Sequence, residues 1–134
     1  MELFQPYKLT ILVMGLTGLL LIIQVLVADV IAIKEKHTPG FPVEPGHHNL
    51  LFRTARAYAN TNETIAAFAL LALFGLFSQA DPYHLNLAAV IYLVGRILHM
   101  LTYYGNIKTV RSIAFGIVIT GLLGMFASGI AVFV

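Results

Sequence analysis

The 134-residue chain contains no cysteine. Disulfides, thiolate metal sites and a protein thiol nucleophile are therefore excluded, and any sulfur chemistry must use a thiol carried in by a ligand. Charge is scarce as well: 10% of residues are charged, against about 25% in a soluble domain. A formal net charge of +2 gives no basis for binding nucleic acid. No internal repeat or low-complexity tract is visible, and the length fits one domain. A cleavable leader is not expected, because the first apolar segment is too long and lacks an A-x-A exit.

What the chain does have is apolar length, with 59% of its residues hydrophobic. A spanning helix needs roughly 20 such residues, and four segments qualify: 8–33, 49–77, 82–104 and 110–134. The first is interrupted by Gln24 and Asp29. Asp81 is a natural N-cap for the third, with Pro82 at its first position, and Thr109 is a candidate cap for the fourth. Lipid leaves no water to satisfy an open backbone donor, so these spans must be helices. The expected fold is an all-α integral membrane protein, a bundle of four transmembrane helices.

The loop "KEKHTPGFPVEPGHH" (34–48) carries three of the five prolines, whereas "SQAD" and "GNIK" are tight links that make helices two, three and four antiparallel neighbours. Lys34, Lys36, Arg53, Arg56, Lys108 and Arg111 all fall on one side. The positive-inside rule makes that side cytoplasmic, with loops 34–48 and 105–109 inside and both termini outside. A bacterial inner membrane is favoured over the endoplasmic reticulum.

Polar residues are concentrated in "FRTARAYANTNET" (52–64), directly before an uninterrupted apolar run. Arg53, Arg56, Asn60 and Glu63 recur at spacings of three and four and so share a helix face. Arg96, His99 and Tyr103 form a similar stripe on the third helix. Counted from the outer hairpin, Glu63 matches Arg96 in depth, Asn60 matches His99, and Arg56 matches Tyr103. The expectation is a Glu63–Arg96 ion pair, since either charge alone would cost several kcal/mol at that depth. Such a pair can merely hold register, and Arg53 and Arg56 can be snorkelling anchors. A polar cavity open to the cytoplasm accommodates the whole set. In "TVRSIAF", Arg111 and Ser112 occupy a first helical turn, where a guanidinium, a hydroxyl and the helix dipole can stabilise a thiolate. The plainer reading there is a positive-inside arginine beside a capping serine.

His37, His47 and His48 read as solvated loop residues, so no metal site is expected. Only His99 lies securely inside a span, which rules out a two-histidine haem site. The glycosylation pattern at Asn62 lies on a membrane helix and is discounted. Gln24 and Asp29 either complete the cavity or bridge subunits.

"RTARAYANTNET" followed by "YLVGRILHMLTYYGNIKTVRS" resembles the membrane-associated proteins in eicosanoid and glutathione metabolism (MAPEG). These include microsomal glutathione transferases, microsomal prostaglandin E synthase and the leukotriene C synthases. The resemblance covers essentially the whole chain. It implies a homotrimer of four-helix subunits, with glutathione bound between subunits towards the cytoplasm. By the same resemblance, Arg56, Asn60, Glu63, His99 and Tyr103 match glutathione-contacting positions. Arg111 matches the arginine that activates the thiol, Ser112 matches its neighbour, and Lys36 falls where the prostaglandin synthase has a binding arginine. Arg53 and Arg96 complete the cationic lining in this reading.

Ala59 and Phe115 depart from an arginine and a tyrosine of that synthase, the link before Arg111 is one residue shorter, and its catalytic loop aspartate has no counterpart. These departures count against prostaglandin isomerisation. Glutathione carries two carboxylates and one ammonium, so several arginines plus a carboxylate are complementary to it. The implied function is a glutathione transferase or peroxidase acting on lipophilic electrophiles or lipid hydroperoxides that enter from the bilayer. A non-catalytic lipid-binding relative is the alternative, and a small transporter subunit is a more remote one. "GLLGMF" and "FASGIA" on the fourth helix either line a groove for the lipophilic substrate or allow close packing, with packing preferred.

Overall fold

The computed structural model describes residues 2–134. A short 3₁₀ turn, Glu2–Tyr7, leads into four helices: α1 (Lys8–Lys34), α2 (Leu50–Phe77), α3 (Pro82–Tyr104) and α4 (Lys108–Ile130). All four are long and apolar enough to cross a membrane. Local chemistry sets their ends. The Asn49 side chain accepts from the backbone N–H groups of Leu51 and Phe52, starting α2. The Asp81 carboxylate accepts from the His84 N–H at 3.0 Å, and Pro82 takes the first turn of α3, where a missing N–H costs nothing.

The fourth helix departs from expectation at both ends. Ile107, not Thr109, holds its N-cap position and makes no side-chain bond, and the helix stops at Ile130. Apolarity marks compatibility with lipid, not continued backbone hydrogen bonding, so an apolar tail overstates a helix. Left-handed residues close the other three: Lys36, Gln79 and Asn106 have φ of 56°, 55° and 57°. After each, the next amide reaches back into the helix, as in His37 N–H to Ala32 O and Ile107 N–H to Thr102 O, both 2.9 Å.

The bundle buries one stripe of α1, namely Thr10, Val13, Thr17, Leu20 and Gln24, at helical spacing. Leu12, Leu19, Ile22 and Leu26 on its other side are each more than half exposed, as suits a lipid-facing surface. Phe68 and Tyr92 stack at 4.2 Å in the shared core, with Val13, Leu85, Val118 and Met125 around them. Helices α3 and α4 approach closely because glycine stands at the crossing. A Cβ on Gly121 would lie 2.6 Å from the Tyr92 backbone nitrogen, and one on Gly95 would lie 2.8 Å from that of Val118. These small residues therefore pack.

The end of the bundle holding the 3₁₀ turn is pinned by polar ties. Tyr7 donates to the Ala80 carbonyl at 2.7 Å. Asn86 donates to the Pro6 carbonyl at 2.9 Å and accepts from both the backbone N–H and the hydroxyl of Thr10. At the other end the start of α2, the end of α3, the start of α4 and the close of the 35–49 loop converge, bringing Arg53, Arg56 and Arg111 together around His47.

Candidate functional site

At that basic end, Asn60 from α2, His99 and Tyr103 from α3, and Arg111, Ser112 and Phe115 from α4 line an open pocket of about 250 Å³. Five of these six are residues the sequence marks out; Phe115 is one of the noted departures. The helical repeat explains the convergence. His99 and Tyr103 are four apart on α3, and Arg111 and Phe115 are four apart on α4, so each pair shares a face. The Arg111 guanidinium lies over the Tyr103 ring, 4.4 Å from its centroid, and Tyr103 packs edge-on to His99 at 5.1 Å. Ser112 Oγ makes only a 3.4 Å contact to the Lys108 carbonyl and is exposed.

Arg96 lies fully enclosed behind Asn60 and Phe115 of this pocket and does not itself line it. The expected Glu63–Arg96 ion pair is not formed. Arg96 Nη1 donates to Asn60 Oδ1 at 2.8 Å, Nη2 donates to Thr64 Oγ1, and the guanidinium sits 5.7 and 5.9 Å from the Tyr92 and Phe115 ring centroids. Glu63 instead turns outward, 3.7 Å from Arg56, and accepts from Asn60 Nδ2 at 3.3 Å. The depth count was sound and the azimuth was not. Residues 60 and 64 are one turn apart and flank Arg96, whereas position 63 is rotated by about 100° from 64. Asn60 thus links the carboxylate to the buried cation. Thr64 is the residue that sequence reasoning missed, although its spacing of four from Asn60 is a readable signal.

Two further residues fall elsewhere. Arg53 donates to the carbonyls of His47 (2.7 Å) and His48 (3.2 Å), fastening the end of the loop to α2. Lys36 is exposed just beyond α1 and does not line this pocket. His47, read from sequence as a solvated loop residue, instead packs against Phe52 and Tyr103, with ring centroids 5.3 and 6.1 Å away, and its Nδ1 lies 3.4 Å from Arg111 Nη1. Nothing in its local spacing announces this, because the proline-rich loop must fold back to place it.

Several buried polar atoms here have no partner among the described residues, including Arg96 Nε and His99 Nδ1. Buried polar groups are ordinarily satisfied. A cationic pocket with unmet hydrogen-bonding capacity suits an anionic, hydrogen-bonding ligand. A second groove, of about 390 Å³, runs between α3 and α4 along Ala88, Ile91, Thr120, Gly124 and Ser128 towards the opposite end. Its lining begins at Thr120, roughly 13 Å along α4 from Arg111.

The architecture and the site together define a multi-pass helical membrane protein with a basic pocket at one end. A model of the MAPEG family matches residues 10–131, and the chain belongs to that family. The family includes glutathione transferases and related glutathione-dependent enzymes, together with members that are not catalytic. No curated protein matches the chain.

Proposed function

We propose that the protein is a membrane-embedded glutathione transferase, with peroxidase activity towards lipid hydroperoxides as a second outlet of the same thiolate. The observation that carries this reading is the convergence of Arg111, Ser112, Asn60, His99 and Tyr103 on one pocket at the basic end. Arg111 and the first turn of α4 supply positive charge that lowers the thiol pKa of bound glutathione, and the Ser112 hydroxyl donates to the thiolate. Arg56, Asn60 and His99 supply donors for its carboxylates, Arg96 adds buried positive charge behind Asn60, and Glu63 supplies a carboxylate for its ammonium. The thiolate then attacks a lipophilic electrophile, forming a carbon–sulfur bond as the leaving group departs with its electron pair.

The pocket within one chain is smaller than the roughly 300–1,000 Å³ of most small-molecule sites. A second copy completes its walls, in keeping with a homotrimer in which Lys36 reaches the site of the adjacent subunit. The basic end faces the cytoplasm by the positive-inside rule, where glutathione is supplied, and the second substrate arrives from the bilayer.

Calorimetry in detergent tests binding, and conjugation of a lipophilic aryl halide tests turnover. Binding with turnover that is lost in Arg111→Ala is the expected result. Binding without turnover would make this a non-catalytic member. Absence of binding would overturn the proposal.

A further inference from the structure

The loop between α1 and α2 ends with His47 packed against two residues of the pocket wall, Tyr103 and Arg111. The His48 ring folds over Gly46, where an added Cβ would lie 2.4 Å from it and displace it. The Asn49 N–H bonds the Gly46 carbonyl at 3.0 Å, and Arg53 grips the carbonyls of His47 and His48. These ties fix the backbone at His47 and turn its ring inward, edge-on to Phe52 and tilted against Tyr103. Tyr103 is also the ring under Arg111. His47 and Tyr103 therefore hold the Arg111 guanidinium from two sides.

An arginine side chain has donors only, so the 3.4 Å contact is a hydrogen bond when Nδ1 carries the lone pair and the ring proton sits on Nε2. The charged groups acting on the ring agree: Arg111 and Lys108 from α4 and Arg53 and Arg56 from α2, the last paired with Glu63, with no carboxylate acting on the ring among the described residues. Burial lowers the imidazole pKa first, and those four cations lower it further. The neutral acceptor form is thereby favoured over imidazolium, which would push Arg111 away.

We propose that His47 is a positioning residue that reaches the reacting thiol through Arg111: its neutral Nδ1 accepts from the guanidinium and fixes where the thiolate-stabilising charge stands. The inference rests on the glutathione reading of the pocket. It assigns to the loop a part in the chemistry that needs no residue to be supplied by a neighbouring copy.

The test compares His47→Phe, which keeps a ring against Phe52 and Tyr103 but has no acceptor, with His47→Asn, which restores an acceptor near the Nδ1 position. The readout is the thiol pKa of bound glutathione, followed by ultraviolet thiolate absorbance. His47→Phe is expected to raise it by roughly one unit, a tenfold loss of thiolate at neutral pH. His47→Asn is expected to recover most of that loss. An unchanged thiol pKa in His47→Phe, or an asparagine variant no better than the phenylalanine one, overturns the inference while leaving glutathione binding intact. Failure of the parent protein to bind glutathione removes the functional reading and this inference together. A measurement on the unsubstituted protein bypasses folding defects: imidazole ¹⁵N shifts should show the neutral, Nε2-protonated tautomer of His47 at neutral pH, with protonation displaced below that of a free histidine. A charged ring there overturns the inference.

Discussion

The two ends of the bundle solve opposite problems. At the end holding the 3₁₀ turn, Tyr7, Thr10 and Asn86 satisfy one another and the nearby carbonyls, and Gly121 and Gly129 bring α4 onto Tyr92 and Phe74. At the basic end, the chain encloses a full guanidinium without a paired carboxylate and leaves Gln24, Arg53, Arg96, His99 and Tyr104 with unmet polar atoms. Every such atom among the described residues lies in the basic half. The contrast separates groups that hold the helices together from polar groups that the packing leaves unsatisfied. Close packing fixes the frame at one end, so the other can keep costly, unsatisfied groups in place.

Substitutions can sharpen or break that division. The largest effect belongs to Arg111→Ala, which should lower glutathione-dependent turnover roughly 10²–10³-fold, as for loss of one transition-state donor, while the helical circular dichroism and thermal midpoint hold. A parallel collapse of fold would place Arg111 in the frame. Next, Gly121→Val drives methyl groups into the Tyr92 backbone and should cost about 1–3 kcal/mol in a detergent unfolding titration. Gly116→Ala on the same helix, where an added Cβ has nothing within 4 Å, should cost none. Equal penalties for the two would show that the α3–α4 crossing is not set by glycine.

Of similar size, Asn60→Ala strands Arg96 Nη1 and should cost about 1–3 kcal/mol, along with loss of glutathione affinity. The smallest is Glu63→Gln. Its partner Arg56 and Glu63 itself have 42% and 56% exposed side chains, so stability should change by less than about 1 kcal/mol. A loss of about 3–5 kcal/mol would instead reveal a buried pairing with Arg96.

Much of this was readable from the amino acids. Hydropathy located the four spans, and Asp81–Pro82 fixed the start of α3. The i, i+4 spacing of His99–Tyr103 and the placement of Arg111–Ser112 put four of the expected side chains at one pocket. The family resemblance named on those motifs holds over residues 10–131. What failed was angular. Counting residues measures depth along a helix axis, whereas the partner of Arg96 depends on how α2 is rotated and crosses α3. At the α2–α3 contact it is shape that meets shape: Phe68 stacks on Tyr92 and Gly75 admits Leu85. The place of His47 was hidden for a different reason: it depends on how a 15-residue loop returns, which no periodicity encodes.

The thiol titration of glutathione bound to the intact protein bears most directly on the site. The account predicts thiolate absorbance at neutral pH, with the bound thiol pKa at least one unit below that of free glutathione and the difference abolished in Arg111→Ala. A bound thiol that titrates like the free peptide would contradict it.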